Sequence, residues 1–258
     1  MKTNTGLEVL FTPAEFMALE KRDLSETTCV VFDVLRATSS MVTALANGAE
    51  AILPCCEINE AIAARKDNPN ILLAGERNGL RITSELTGGI DFDLGNSPRE
   101  FTSEKVRRLT IAMTTTNGTR ALRACASAKC VLIGSFLNLS AVATALKAQR
   151  PEHLLIVCSG TGEQAAYEDT LAGGAFCALL SDLFQPGHLT DSARMALQIY
   201  TSAQPDLLAA MKTSQNGRRL MSLPDLRDDL EFCAQRDVFN LVPKFGKNGC
   251  VRAHARNQ

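Results

Sequence analysis

The sequence predicts an α/β fold in three layers, with helices on both faces of a largely parallel or mixed sheet. Three observations predict it. Short apolar runs, the mark of buried strands, recur at 29–32, 51–53, 71–74, 109–113, 130–133 and 154–158. Stretches with helical character alternate with them, as in β-α-β units. The apolar runs also end in polar clusters, which is where open α/β sheets place their ligands.

Residues 7–11 read as a first strand, with Thr12 as N-cap and Pro13 at the first position of a helix over 14–20. The strand at 29–32 leads through Asp33, Val34, Leu35 and Arg36 into Thr38, Ser39 and Ser40. These three hydroxyl residues are suited to cap a helix over 41–46, and Asn47-Gly48 stops it. Strand 51–53, helix 58–65, the turn Asn68-Pro69-Asn70 and strand 71–74 follow, ending at Gly75-Glu76-Arg77.

A similar series begins about 80 residues later. It runs through strand 109–113, the turn from Thr114 to Thr119, helix 120–126, strand 130–133, helix 140–148 and strand 154–158. Val31 to Ile111 is 80 residues, Ile52 to Leu132 is 80, and Ile71 to Leu154 is 83. The chain therefore reads as one domain over 1–258, with two similar β-α-β-α-β units at about 28–98 and 108–180. The same rhythm is also what any α/β fold produces. Residues 77–102, between the units, are rich in glycine and turn residues, and their apolar residues argue for order. After the second unit come helices at 171–184, 191–201, 205–212 and 226–234 and a late strand at 238–243. Gly173-Gly174 inside a helix suggests close packing of another backbone or a ligand.

Composition excludes several classes. The 258 residues are 45% hydrophobic and 21% charged, with a formal net charge of -1. Nothing there favours nucleic acid or an anionic membrane. With no Trp and only Tyr167 and Tyr200, base-stacking platforms lack material. The nine cysteines include no C-x-x-C, and Cys29, Cys158, Cys177 and Cys233 sit in apolar contexts. The N-terminal ten residues lack a signal-peptide core, and no window approaches a membrane span. A cytoplasmic protein with free thiols is expected, with a homo-oligomer open. His153, His188 and His254 lack metal-ligand spacing and read as structural. There is no P-loop, nucleophile elbow or Asp-x-Asp phosphatase pattern.

The chemistry then rests on polar groups just past strands. In a parallel sheet these ends share one edge, so they can converge. Asp33, Glu76 and Asp169 would form an oxygen-rich cluster suited to Mg²⁺, which takes one or two carboxylates plus water and phosphate. Residues 114–119 would form a hydroxyl and N–H cradle for an anion. Carboxylates for a metal together with donors for an anion suggest metal-assisted phosphoryl chemistry. Each element has a plainer reading. Asp33 can cap a turn and pair with Arg36, the Thr-rich turn can be only a cap, and Glu168-Asp169 can serve a helix N-terminus.

Five strings carry a resemblance. They are Val31-Phe32-Asp33-Val34-Leu35-Arg36-Ala37-Thr38-Ser39-Ser40, Gly75-Glu76-Arg77-Asn78-Gly79, Phe92-Asp93-Leu94-Gly95-Asn96-Ser97-Pro98, Thr115-Thr116-Asn117-Gly118-Thr119, and Glu168-Asp169 with Ala172-Gly173. Together they resemble the 2-phosphosulfolactate phosphatase family over about residues 28–175, with weaker likeness to about 243. The resemblance implies an α/β fold particular to that family and Mg²⁺-dependent hydrolysis of 2-phosphosulfolactate to sulfolactate and phosphate, in a route to coenzyme M. With it, Asp33, Glu76 and Asp169 are expected to carry or orient Mg²⁺. Arg36, Asn117, Gly118 and Thr119 are expected to hold the phosphate. Arg77 and Arg218 are candidates for the carboxylate and sulfonate, and Glu168 or Asp93 for the base. Two alternatives stay open: the same mechanism on another phosphorylated hydroxy acid, and an anion-binding protein of the same fold without catalysis.

Overall fold

Val30, Val31 and Phe32 lie in a strand whose six residues, Thr27–Phe32, are all buried. Side chains alternate across a strand. Val30 and Phe32 enter the apolar layer on one face, and Cys29 and Val31 enter the layer on the other. A sheet buried on both faces needs helices on both, and a three-layer α/β/α architecture results. The computed structural model describes residues 6–183 and 189–254.

Among the described residues ten strands form one mixed sheet. They are β1 (Gly6–Leu10), β2 (Thr27–Phe32), β3 (Ala51–Cys55), β4 (Leu72–Arg77), β5 (Leu80–Arg81), β6 (Thr110–Thr114), β7 (Cys130–Gly134), β8 (His153–Cys158), β9 (Val242–Phe245) and β10 (Val251–His254). Their order is β1-β8-β2-β7-β9-β10-β3-β6-β4-β5. β2 runs parallel to both β7 and β8, with Val31 opposite Ile133 and Val157. β6 runs parallel to both β3 and β4, with Ile111 opposite Ile52 and Leu72. The first strand of each stretch thus lies between the second and third strands of the other.

The antiparallel pair β9–β10 joins the two parallel blocks, since β9 pairs antiparallel with β7 and β10 antiparallel with β3. The blocks therefore run in opposite senses along the ladder. The expectation that these strand ends share one edge is corrected here. Strand twist of about 20–25° per step accumulates over the five steps from β2 to β6. It turns the ends of one block back toward those of the other.

The helices are α1 (Pro13–Met17), α2 (Ala37–Ala46), α3 (Ile58–Asp67), α4 (Ser84–Thr87), α5 (Ser103–Val106), α6 (Gly118–Ala124), α7 (Leu139–Gln149), α8 (Tyr167–Leu179), α9 (Asp191–Ala203), α10 (Leu207–Thr213), α11 (Gln215–Ser222) and α12 (Asp228–Ala234). Residues of α7, α8 and α9 pack in one apolar layer, and residues of α2 and α6 in the other. In α8, a Cβ on Gly174 would meet the Ala196 carbonyl oxygen at 2.1 Å. The glycine lets the backbones of α8 and α9 cross closely.

Several elements differ from the sequence reading. Helix α2 starts at Ala37, so Thr38, Ser39 and Ser40 lie inside it rather than capping it. Two of the hydroxyls turn back to the loop instead, Thr38 donating to the Asp33 carbonyl (2.9 Å) and Ser39 to that of Val34 (2.8 Å), while Ser40 donates to the Asn96 carbonyl (2.7 Å). The late strand begins at Val242 and is followed by β10, which the sequence did not announce. Helix α11 also went unread. The expected helix end at Phe184 and His188 lie outside the described residues, as does the side chain of His254.

Candidate active site

Four loops, each following a parallel strand, open on one cleft of about 280 Å³. After β2 it takes Asp33, Leu35 and Arg36; at the end of β4, Glu76, Asn78 and Gly79; after β6, Thr115, Thr116 and Asn117; after β8, Gly160, Thr161 and Gly162. Asn96 and a fifth wall from α11, with Gln215, Asn216, Arg219 and Leu220, complete it.

Asp33 is held from both sides. Its own N–H donates to the Thr38 hydroxyl (3.0 Å), and its Oδ1 accepts the Ala37 N–H (3.0 Å). Its Oδ2 faces Gly118, where a Cβ would come within 2.6 Å. Burial pushes the Asp33 carboxyl up to about 6; the Ala37 N–H on its Oδ1 opposes this, and the charges of Glu76 and Glu168 add to it. Asp169 and Glu168 are also raised, chiefly by burial. Asp169 further feels the charges of Asp33 and Glu168. Four carboxylates are thus crowded behind one cleft.

Their places relative to the cleft divide them. Glu76 Oε1 accepts the N–H (2.9 Å) and hydroxyl (2.8 Å) of Thr116, and Oε2 accepts the Gly79 N–H (2.6 Å). It ties two cleft loops together while lining the cleft itself. Asp169 is spent on the scaffold. Its Oδ1 accepts the Val34 N–H (2.8 Å), and its Oδ2 accepts the Ser159 hydroxyl (3.0 Å) and the Gly160 N–H (3.1 Å). Asp169 does not line the cleft, and among the described residues no group of three or more His, Cys, Asp or Glu is arranged to hold a metal ion. Of the three carboxylates expected to carry Mg²⁺, Asp33 and Glu76 line the cleft and Asp169 fixes the loops beneath them.

Glu168 is buried behind Asn216, whose Nδ2 donates to Glu168 Oε1 (2.6 Å) and to the Thr161 hydroxyl (2.7 Å). It does not line the cleft, so contact with a reacting water is not its position. Glu168 Oε2, Asn117 Oδ1 and Asn96 Oδ1 are buried without a hydrogen-bond partner among the described residues. Asn117 Nδ2 is committed to the carbonyls of Ser159 and Gly162 (both 3.0 Å), which fixes its amide. Buried acceptors left open call for a donor or a cation. The cleft's two carboxylates and open amide oxygens are all hard oxygen ligands, which fits Mg²⁺ with its water and phosphate ligands.

Arg36 is buried and reaches the cleft, with Nη1 on Asp229 (2.7 Å) and Nη2 on the Gly79 carbonyl (2.6 Å). Asn117 lines the cleft as expected. Gly118 and Thr119 lie behind it; Thr119 closes on the Thr115 carbonyl (3.1 Å), while Thr115 and Thr116 are the cleft residues.

Three further expected residues do not line the cleft. Arg77 is spent on the Glu76 carbonyl (2.8 Å) and the Thr114 hydroxyl (3.0 Å). Arg218 is exposed and bonds the Thr213 carbonyl; its neighbour Arg219 lines the cleft and donates to the Asn78 carbonyl. Asp93 pairs with Arg65 and accepts the Leu73 N–H (2.7 Å), holding a loop to β4, so it is no base for this cleft. Sequence reasoning missed Asp229, Asn96, Gln215 and Asn216. Asn96 lies within the segment Phe92 to Pro98, and helical spacing over 215–222 puts Asn216, Arg219 and Leu220 on one face.

A family model described as 2-phosphosulpholactate phosphatase matches residues 15–248. A protein of Caldanaerobacter subterraneus named "Probable 2-phosphosulfolactate phosphatase" is 41% identical over 94% of this chain and 97% of its own length. Proteins of the same name from Thermotoga petrophila (41% identical, 84% of this chain and 88% of the relative) and Clostridium acetobutylicum (35%, 88% and 93%) are also similar.

Proposed function

The chain belongs to the 2-phosphosulfolactate phosphatase family, and from that premise we propose that it hydrolyses 2-phosphosulfolactate to sulfolactate and phosphate with Mg²⁺. One observation carries the reading most: strings that match the family and lie far apart in the chain open on one cleft, where Asp33, Glu76, Arg36 and Asn117 stand together.

Mg²⁺ held by Asp33 and Glu76 would supply positive charge for a phosphoryl oxygen and a place for a water. The rest falls to the chain's own residues. Arg36 binds phosphate oxygens through its planar donors. Asp33 is ionised above about pH 6. It offers Oδ2 as the acceptor that orients the attacking water. Arg219, across the cleft, takes the carboxylate or sulfonate in the place expected for Arg218. Phosphoryl transfer needs mostly such positioning and charge, since little covalent work falls to the protein.

A panel of phosphate esters tests the substrate. The kcat/KM for 2-phosphosulfolactate should exceed that for phospholactate, which lacks the sulfonate. Equal values would favour another phosphorylated hydroxy acid. A place in coenzyme M synthesis rests on the same substrate. The nine cysteines are all free, which fits a reducing compartment such as the cytoplasm. Among the described residues no helix is long and apolar enough to cross a membrane.

A further inference from the structure

Asp229 is fully buried, yet it lies 193 residues from the strand-end loop it serves. Its Oδ2 takes Arg36 Nη1 at 2.7 Å. Its Oδ1 takes the Ser97 hydroxyl at 2.6 Å and Arg99 Nε at 2.8 Å. One carboxylate therefore meets two guanidinium groups and divides its single charge between them, while the exposed Asp228 reaches Arg99 alone, at 3.5 Å. A buried ion pair matched one to one would have cancelled the charge of Arg36 where the cleft needs it.

The geometry adds direction. Two of the five N–H donors of Arg36 are engaged among the described residues, one by Asp229 and one by the Gly79 carbonyl. The guanidinium plane is pinned at both terminal nitrogens while donors remain for a ligand. Asp229 does not line the cleft; Arg36 does. From these contacts we infer that Asp229 is a positioning residue: it fixes Arg36 as the anion-binding group and ties α12 and the Ser97 loop to the cleft. Its effect on ligand passes through Arg36. This deepens the reading of the cleft as a phosphate site and rests on it.

The test is calorimetric titration of the full-length protein with inorganic phosphate, in the presence of Mg²⁺. Asp229→Asn keeps the shape and removes the charge. It should weaken phosphate binding about 10- to 100-fold, the range typical of groups that orient a ligand-holding side chain. Turnover should show a matching rise in KM, with kcat moved less. Ser97→Ala removes one donor to Asp229 from outside the cleft and should weaken binding several-fold. Glu231→Gln, exposed on the same helix, should bind as the wild type does. In an Arg36→Gln background, Asp229→Asn should add little further loss.

Folded Asp229→Asn with wild-type affinity would overturn the inference. So would additive losses in the double variant, or a kcat loss without change in phosphate affinity or KM. If Asp229→Asn does not fold, Ser97→Ala decides, and wild-type affinity there overturns the inference as well. Wild-type protein that binds no phosphate also overturns it. Wild-type protein that binds phosphate but leaves 2-phosphosulfolactate intact removes the substrate reading alone.

Discussion

Asp33 and Gly118 face each other across the join between β2 and α6, so closely that a Cβ on Gly118 would lie 2.6 Å from Asp33 Oδ2. The same Cβ would lie 2.6 Å from the Cβ of Ala37. Gly118 makes no contact with the cleft of its own. It leaves the space in which the Asp33 carboxylate points at the cleft.

Gly118→Ala should therefore act on Asp33. Overpacking of this kind costs about 1–3 kcal/mol, so the melting temperature should fall by about 2–10 °C. The kcat/KM should drop at least about tenfold as the carboxylate is displaced. A variant that melts lower but turns over normally would place the strain elsewhere.

Asp33 also sets the pH behaviour. Its folded value of about 6 lies above the usual aspartate range. Between about pH 4 and 6 the folded protein holds a proton that the unfolded chain has lost, so stability falls as pH rises through that window. Asp33→Asn removes Asp33's share of this dependence, leaving that of Glu168 and Asp169, and its melting temperature at pH 8 should equal or exceed the wild type's. Its kcat/KM should fall about 100-fold or more. The wild-type kcat/KM should show an acid limb near pH 6, read from a pH–rate profile. Full activity at pH 4.5 would remove the ionised Asp33 from the reaction.

The adjacent arginines should separate. Arg219→Met should raise KM for 2-phosphosulfolactate about tenfold, because the cleft loses a cation. Arg218→Met should change it less than twofold, since that guanidinium is exposed and bonded to Thr213. Steady-state kinetics on the two variants gives the answer, and equal effects would contradict the placement of Arg219.

Metal binding can be read without turnover. Mg²⁺ at about 100 times its Kd stabilises a folded protein by about 2.7 kcal/mol, which for this size raises the melting temperature by about 5–10 °C. The rise should be large at pH 8 and small at pH 5, where Asp33 is largely protonated. A shift that survives in Asp33→Asn would assign the metal to other ligands.

The fold was legible because burial leaves a strong mark. Strands such as β2 and β8 are apolar on both faces, and their ends carry the polar residues Asp33 and Ser159. β10, with Arg252 in its middle, carries no such mark. The order of the strands was not legible either, because the interleaving of β2 with β7 and β8 depends on contacts more than 100 residues apart. In the cleft, Asp33, Arg36, Glu76 and Asn117 could be read from their places after strands. What failed was the difference between a carboxylate that opens on the cleft, as Glu76 does while also bonding backbone N–H groups, and one buried or turned away from it. Asp169 and Asp93 are acidic residues in the right segments, and only their partners, Val34 and Gly160 for one and Arg65 and Leu73 for the other, reveal a holding role. Asp229 was invisible for the opposite reason: its partners Arg36, Ser97 and Arg99 are all distant in the chain.

The most direct measurement is phosphate release from 2-phosphosulfolactate by the purified protein, with Mg²⁺ and with excess chelator. Release with Mg²⁺ that stops on chelation and returns when Mg²⁺ is restored is the expected result. Absence of release by folded, Mg²⁺-supplied protein would contradict the proposed activity, and release undiminished by chelator would contradict the role given to Asp33 and Glu76 as metal carriers.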